Sequence, residues 1–386
     1  MNSLHWTRLH PCLLLLSIVW CANKIPVENS IIRYSYPVEV HKVTTTDGYI
    51  LSLVRIPKDG RQPILLVHGL MCSSAEWTVL GNQSLPLRLS EANYDVWLAN
   101  ARGNTFSRRH SKISASSKKF WTFSWHEIGM YDLPAVIDRI LEVTGFPSVH
   151  YVGHSQGCTA FCVMSSSLPE YDRKIKTGHL MAPAVMMYHT YSPPIRVLIP
   201  RVKELKMLAG FLGIWELLSR SDDSFIGATM TAIQESTPPE TFLSIANAIS
   251  GMRPAQLSQS LTKRIMETMP AGSALMQFEH YGQVIASGRF QQFDYGAAEN
   301  WLRYNATKPP SYKLEKIRAP LALYYSDNDW LVALKDIQQL KNRLKNVIFD
   351  YHVEGPQFNH IDFMFDKEAS KIYDEIIRIV KESDSG

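Results

Sequence analysis

The chain has 386 residues, 45% apolar and 20% charged, a balance that excludes a disordered or fibrous protein and leaves ample material for a core. Its net charge of +4 is spread without a long basic run or aromatic-basic interleaving, which argues against nucleic acid as a partner. The length accommodates two average domains, or one α/β domain carrying an insertion.

At the N-terminus Arg8 precedes the apolar run CLLLLSIVW, and Cys21-Ala22-Asn23 follow. This is the pattern of a cleaved secretory signal peptide over residues 1–22. A signal anchor is the alternative, but the run is shorter than the ~20 apolar residues that span a bilayer. No later segment is long enough either; MLAGFLGIWELL (207–218) comes nearest and is interrupted by Glu216. Secretory entry would make Asn82-Gln83-Ser84 and Asn305-Ala306-Thr307 usable glycosylation sequons. Of the five cysteines, Cys12 and Cys21 would leave with the leader. The remaining Cys72, Cys158 and Cys162 are expected as buried thiols rather than as a disulfide.

Beyond the leader, VEVHKVTTTDGYILSLVRIP reads as two strands around a Thr46-Asp47-Gly48 turn. Strand candidates then alternate with helical stretches: residues 63–69, 94–100, 148–153, 178–184, 320–326 and 347–353. Short Val/Leu/Ile/Tyr-rich strands separated by helices predict a mostly parallel sheet with helices on both faces. The interval 185–319 breaks the rhythm. It holds amphipathic helical stretches, scattered prolines and no clear strand, and reads as an inserted helical subdomain. The organisation expected is a core of 23–184 and 320–386 interrupted by that insertion.

In HYVGHSQGCTAF the glycines Gly153 and Gly157 flank Ser155 where an apolar strand must turn sharply into a helix, a turn that holds a serine in a strained, presented position. A plain Gly-rich turn is the simpler reading of the pentapeptide alone. A serine nucleophile needs a base and an acid, and after an elbow of this kind they follow in the order serine, acid, histidine, on loops at the carboxyl ends of strands. Five histidines follow Ser155. His179 and His352 fall in strand candidates, and His189 and His280 in the insertion. His360 stands on a loop between the last strand and the final helix, where the base must come from. For the acid, Asp327 and Asp329 both follow the penultimate strand, and spacing does not choose between them; Asp362 reads as structural. The oxyanion donors would be the N–H of Gln156, next to the serine, and that of Leu70, after the strand ending in His68-Gly69. No Cys/His/Asp cluster has metal-ligand spacing, and no GxGxxG or P-loop pattern is present, so neither metal nor cofactor is expected.

With these residues in view the chain resembles the acid lipase family of α/β-hydrolases: the gastric, lingual and lysosomal acid lipases and their insect relatives. The motifs LLVHGL, YDVWLANARGNTFSRRH, FWTFSWHEIGMYDLPAVID, HYVGHSQG, PAGSALMQFEHYGQ, SGRFQQFDYG and FNHIDF carry the resemblance over nearly the whole mature chain. It implies a secreted or lysosomal serine ester hydrolase acting on triacylglycerols or sterol esters at a lipid–water interface. The nucleophile falls on Ser155, the base on His360 and the oxyanion donors on Leu70 and Gln156. The acid falls on Asp329, because the family's acid precedes a Leu-rich step matched by Trp330-Leu331. The insertion becomes the family's cap and lid. One departure is that mammalian members carry a cysteine pair in the cap, whereas no cysteine follows Cys162 here. The rival readings are a soluble carboxylesterase or peptidase on the same fold, and a noncatalytic lipid-carrying or storage protein on a lipase scaffold.

Overall fold

The computed structural model describes residues 26–218, 232, 236–253 and 257–385. The predicted leader, residues 1–22, lies outside them. The opening hairpin forms as β1 (Glu39–Thr44) and β2 (Tyr49–Ile56), paired antiparallel around the Asp47-Gly48 turn. Gly48 has φ +100°, which a Cβ would strain, so the turn requires it. β3 (Pro63–Val67), β4 (Asp95–Ala99), β6 (Val149–His154), β7 (Ile175–Met181) and β10 (Leu321–Ser326) follow, with β11 (Val347–Val353) at the edge. The short β5 (Arg109–His110) pairs with β2.

The sheet runs β1-β2-β4-β3-β6-β7-β10-β11, parallel from β4 onward. β3, β4 and β6 are buried at every position, as expected of parallel strands covered on both faces, whereas β11 alternates between half-buried and exposed residues, as an edge strand should. One face packs Trp97, Tyr151, Phe161 and Leu323; the other packs Trp77, Leu66, Val152 and Phe363. From β3 the chain goes out to β4 and returns to β6 on the other side of β3. A crevice therefore opens at the carboxyl ends of β3 and β6, where the strand order reverses.

Two expectations need correction. The strand predicted over 178–184 occupies Ile175–Met181 instead. Lys176 and Thr177 look like loop residues, but the Thr177 hydroxyl is satisfied inside the sheet by His150 and His179, while Ala182 turns away with φ 47°. The insertion also contains strands, the two-residue β8 (Glu216–Leu217) and β9 (Ser273–Ala274), which pair antiparallel and are too short to leave a sequence pattern. The other elements described within 185–319 include the helices Pro193–Leu198, Val202–Phe211, Pro239–Ser250, Gln259–Thr268, Leu275–Ser287 and Ala297–Tyr304. Cys72, Cys158 and Cys162 are buried free thiols. Among the described residues no helix is long and apolar enough to cross a membrane, and no cluster of three His, Cys, Asp or Glu could hold a metal.

Candidate active site

β6 ends at His154, and the helix Gln156–Ser167 begins two residues later. Ser155, between them, has φ 50° and ψ −109°, a backbone region that costs a non-glycine residue on the order of 1–3 kcal/mol. The flanking glycines allow the tight turn. A Cβ on Gly157 would lie 2.3 Å from the Val67 carbonyl oxygen, and one on Gly153 would lie 2.9 Å from the Cys158 nitrogen. Only backbone without side chains lets the helix approach β3 this closely.

The long-range geometry brings Ser155, His360 and Asp329 into one hydrogen-bonded chain. Ser155 Oγ lies 2.8 Å from His360 Nε2, and His360 Nδ1 lies 2.7 Å from Asp329 Oδ2. The other carboxylate oxygen of Asp329 accepts the N–H groups of Leu331 (2.9 Å) and Val332 (2.8 Å), which fixes the plane of the carboxylate. Asp327 is elsewhere: it pairs with His352 at 2.8 Å and accepts the Gly355 N–H, on the exposed rim. The other histidines after Ser155 have partners of their own. His179 bonds to Tyr324 and Thr177, His189 to Asp336, and His280 to Ser124 and the Gln291 carbonyl while stacked on Trp125.

Gly69 is held at both ends of its peptide groups. Its N–H donates to Glu76 Oε1 at 3.0 Å, and its carbonyl accepts from His68 Nδ1 at 2.8 Å. A trans peptide sets the Leu70 N–H opposite the Gly69 carbonyl, so the His68 bond also aims that N–H. The loop lies against the elbow, with the Gly69 Cβ direction 3.4 Å from the Ser155 Cβ. Gln156 opens its helix, where N–H groups lack intrahelical partners and the helix dipole favours negative charge.

Three contacts escaped sequence reasoning. The Gln156 side-chain oxygen accepts from Gln277 Nε2 at 3.0 Å, and Gln277 Oε1 accepts the Ala274 N–H, so the insertion grips the residue beside the serine. The Ser250 carbonyl accepts both the Trp330 N–H (3.1 Å) and the His360 N–H (3.4 Å), bracketing the acid and histidine loops together. Glu76 is buried behind the Gly69 loop. Only a charged residue inside the apolar SSAEWTVL run hinted at it. The serine is less presented than its motif suggests: Ser155 is 9% exposed and His360 4%, because the insertion folds over the elbow, with Tyr281 OH on Thr159 and Gln277 on Gln156.

Residues 27–81 match a family model described as a partial alpha/beta-hydrolase lipase region, and residues 62–204 match one for the alpha/beta hydrolase fold. Lipase 1 of Drosophila melanogaster is 41% identical, over 93% of this chain and 80% of its own. Bos taurus gastric triacylglycerol lipase is 36% identical over 92% and 91%, and Homo sapiens lysosomal acid lipase/cholesteryl ester hydrolase is 33% identical over 92% and 90%. The chain belongs to the acid lipase family of α/β-hydrolases. The fold is also that of the lip1 structure from Acinetobacter baumannii AYE, with a TM-score of 0.55 at 14% identity over 93% of this chain and 95% of that one. As a family member the protein is a carboxylic ester hydrolase of the lipase type.

Asp362 serves this lipase from behind the histidine. It accepts the Asn359 N–H and Arg253 Nη1, and burial, outweighing Arg253 and the Asn359 N–H, pushes its carboxyl up from 3.8 to about 7. The folded protein holds this proton where the unfolded chain releases it. The stability contributed is fully present below 3.8 and is lost as the pH rises towards about 7. Thermal melts across that window should show wild type losing stability relative to Asp362→Asn as the pH rises. Parallel curves would refute the assignment.

Proposed function

We propose that this lipase hydrolyses neutral lipid esters, triacylglycerols or sterol esters, through an acyl-enzyme on Ser155. The observation that carries the mechanism is the Ser155–His360–Asp329 chain of 2.8 and 2.7 Å. His360 takes the serine proton as Oγ attacks the ester carbonyl and returns it to the leaving alcohol; Asp329 keeps the imidazole in the tautomer whose Nε2 is free to accept. The N–H groups of Leu70 and Gln156 are assigned to the tetrahedral oxyanion. Water then attacks the acyl carbonyl by the same route in reverse, releasing the fatty acid.

Residues 185–319 act as the cap. Phe211 is 89% exposed and Met207 74%, and both lie on the helix Val202–Phe211, an apolar surface suited to a lipid–water interface. The names of the relatives place them in gastric and lysosomal settings, and this chain is assigned to the secretory pathway on that ground together with the leader pattern of its first 22 residues and its two sequons, Asn82 and Asn305, both exposed.

The test uses protein secreted from a eukaryotic host, with leader loss and glycans at Asn82 and Asn305 read by mass spectrometry. Triolein, cholesteryl oleate and a soluble short-chain ester are then assayed side by side. The lipid substrates should be turned over, and the double variant Phe211→Ser, Met207→Ser should lose roughly ten- to hundredfold more rate on emulsion than on the soluble ester, the scale of about half-burying two apolar side chains at the interface. Hydrolysis of the soluble ester alone would make it a carboxylesterase, and hydrolysis of none would leave a lipid carrier.

A further inference from the structure

Glu76 and His154 are buried ionisable groups for which the mechanism has no use. Glu76 is 1% exposed and His154 4%. They face each other across the back of the elbow, with Glu76 Oε1 3.6 Å from His154 Nδ1. Glu76 Oε2 and His154 Nδ1 have no hydrogen-bond partner among the described residues, a costly state for buried polar atoms.

The neighbouring bonds fix where protons are. His154 Nε2 lies 3.2 Å from the His360 carbonyl oxygen, which only accepts, so Nε2 carries hydrogen. A neutral His154 would then turn a bare Nδ1 lone pair on the carboxylate, acceptor against acceptor in a buried site. His68 does not relieve the charge. Its Nε2 accepts the Ala101 N–H at 3.1 Å and its Nδ1 donates to Gly69, which is the neutral tautomer, and burial pushes its pKa down. Although burial pushes Glu76 up, His154 holds it below the ordinary carboxylate range.

We propose that Glu76 and His154 share one proton as a buried acid–imidazole pair, and that Glu76 is the positioning residue of the oxyanion loop, holding Gly69 in place while His154 holds the backbone of His360. The pair thus sets both loops that meet at Ser155, and the inference rests on the reading of Ser155 as nucleophile. Its effect is felt in the transition state, because Glu76 reaches no substrate atom and acts only through the aim of the Leu70 N–H.

The experiment compares Glu76→Ala and Glu76→Gln on a soluble ester. Glu76→Ala should lower kcat by roughly ten- to hundredfold, the scale of a small misplacement of a catalytic group, with KM within about twofold. Glu76→Gln should restore most of the loss, since its amide oxygen still accepts the Gly69 N–H. An Ala variant as fast as wild type, or two variants equally impaired, would overturn the proposal. Nitrogen NMR of histidine-labelled wild type tests the proton without any variant: His154 Nδ1 should be protonated or strongly hydrogen-bonded at neutral pH, and a bare Nδ1 would overturn the pair. A fluorophosphonate probe separates the two readings. Wild type left unlabelled at Ser155 removes the nucleophile and this inference with it, whereas labelled wild type with an unimpaired Ala variant removes only the role of Glu76.

Discussion

Ser155→Ala should lower kcat by on the order of 10⁶-fold while leaving the fold intact, because a nucleophile and its base act as a unit, and the remaining rate comes only from binding and the oxyanion donors. Among the described residues the hydroxyl bonds to His360, and the backbone bond from the Ser155 N–H to the Met181 carbonyl survives the change. The strain at φ 50° survives too, since alanine carries the same Cβ. The measurements are kcat/KM on a soluble ester, a melting curve and labelling by a fluorophosphonate. Equal labelling of variant and wild type would move the nucleophile elsewhere.

Asp329→Asn should cost about 10⁴-fold in kcat, the scale of a triad whose histidine is held in the wrong tautomer. The two backbone N–H groups of Leu331 and Val332 require an oxygen at the Oδ1 position. The asparagine amide must therefore present its NH₂ to His360 Nδ1. That bond would take the Nδ1 lone pair and place the ring proton on Nε2, where it can no longer accept from Ser155. Asp327→Asn alters a surface hydrogen bond to His352 whose side chains are 36% and 32% exposed, a class worth at most ~1 kcal/mol, and should leave kcat within a few-fold. The opposite ranking, measured on the same substrate, would transfer the role to Asp327.

What is local in the chain is legible in its sequence. Gly153 and Gly157 announce the elbow because a strand-to-helix turn that tight admits no side chain, and 45% apolar composition in short alternating runs announces a parallel sheet because such strands are buried on both faces. The order of serine, acid loop and histidine loop follows from the fold once the elbow is accepted. Strand ends were less secure: β7 begins three residues before the predicted start because Thr177 finds His150 and His179 as partners, which no local pattern records.

The choice between Asp327 and Asp329 was beyond spacing, since both sit on one short loop and differ only in what each faces across the sheet. Resemblance favoured Asp329; geometry separates the two by giving Asp327 to His352 and Asp329 to His360. Gln277 and the Ser250 carbonyl were invisible for a related reason. Gln277 meets Gln156 across 121 positions of chain, and Ser250 reaches Trp330 and His360 from an insertion whose own helices carry no catalytic pattern. The fold, and Ser155 and His360 as the proposed nucleophile and base, are legible in the chain because steric turns and burial periodicity are written in neighbouring residues. Which carboxylate faces His360, and which groups of residues 185–319 brace Gln156, Trp330 and His360, follow only from tertiary structure, because a hydrogen bond is a matter of distance and direction between groups that the chain order leaves far apart.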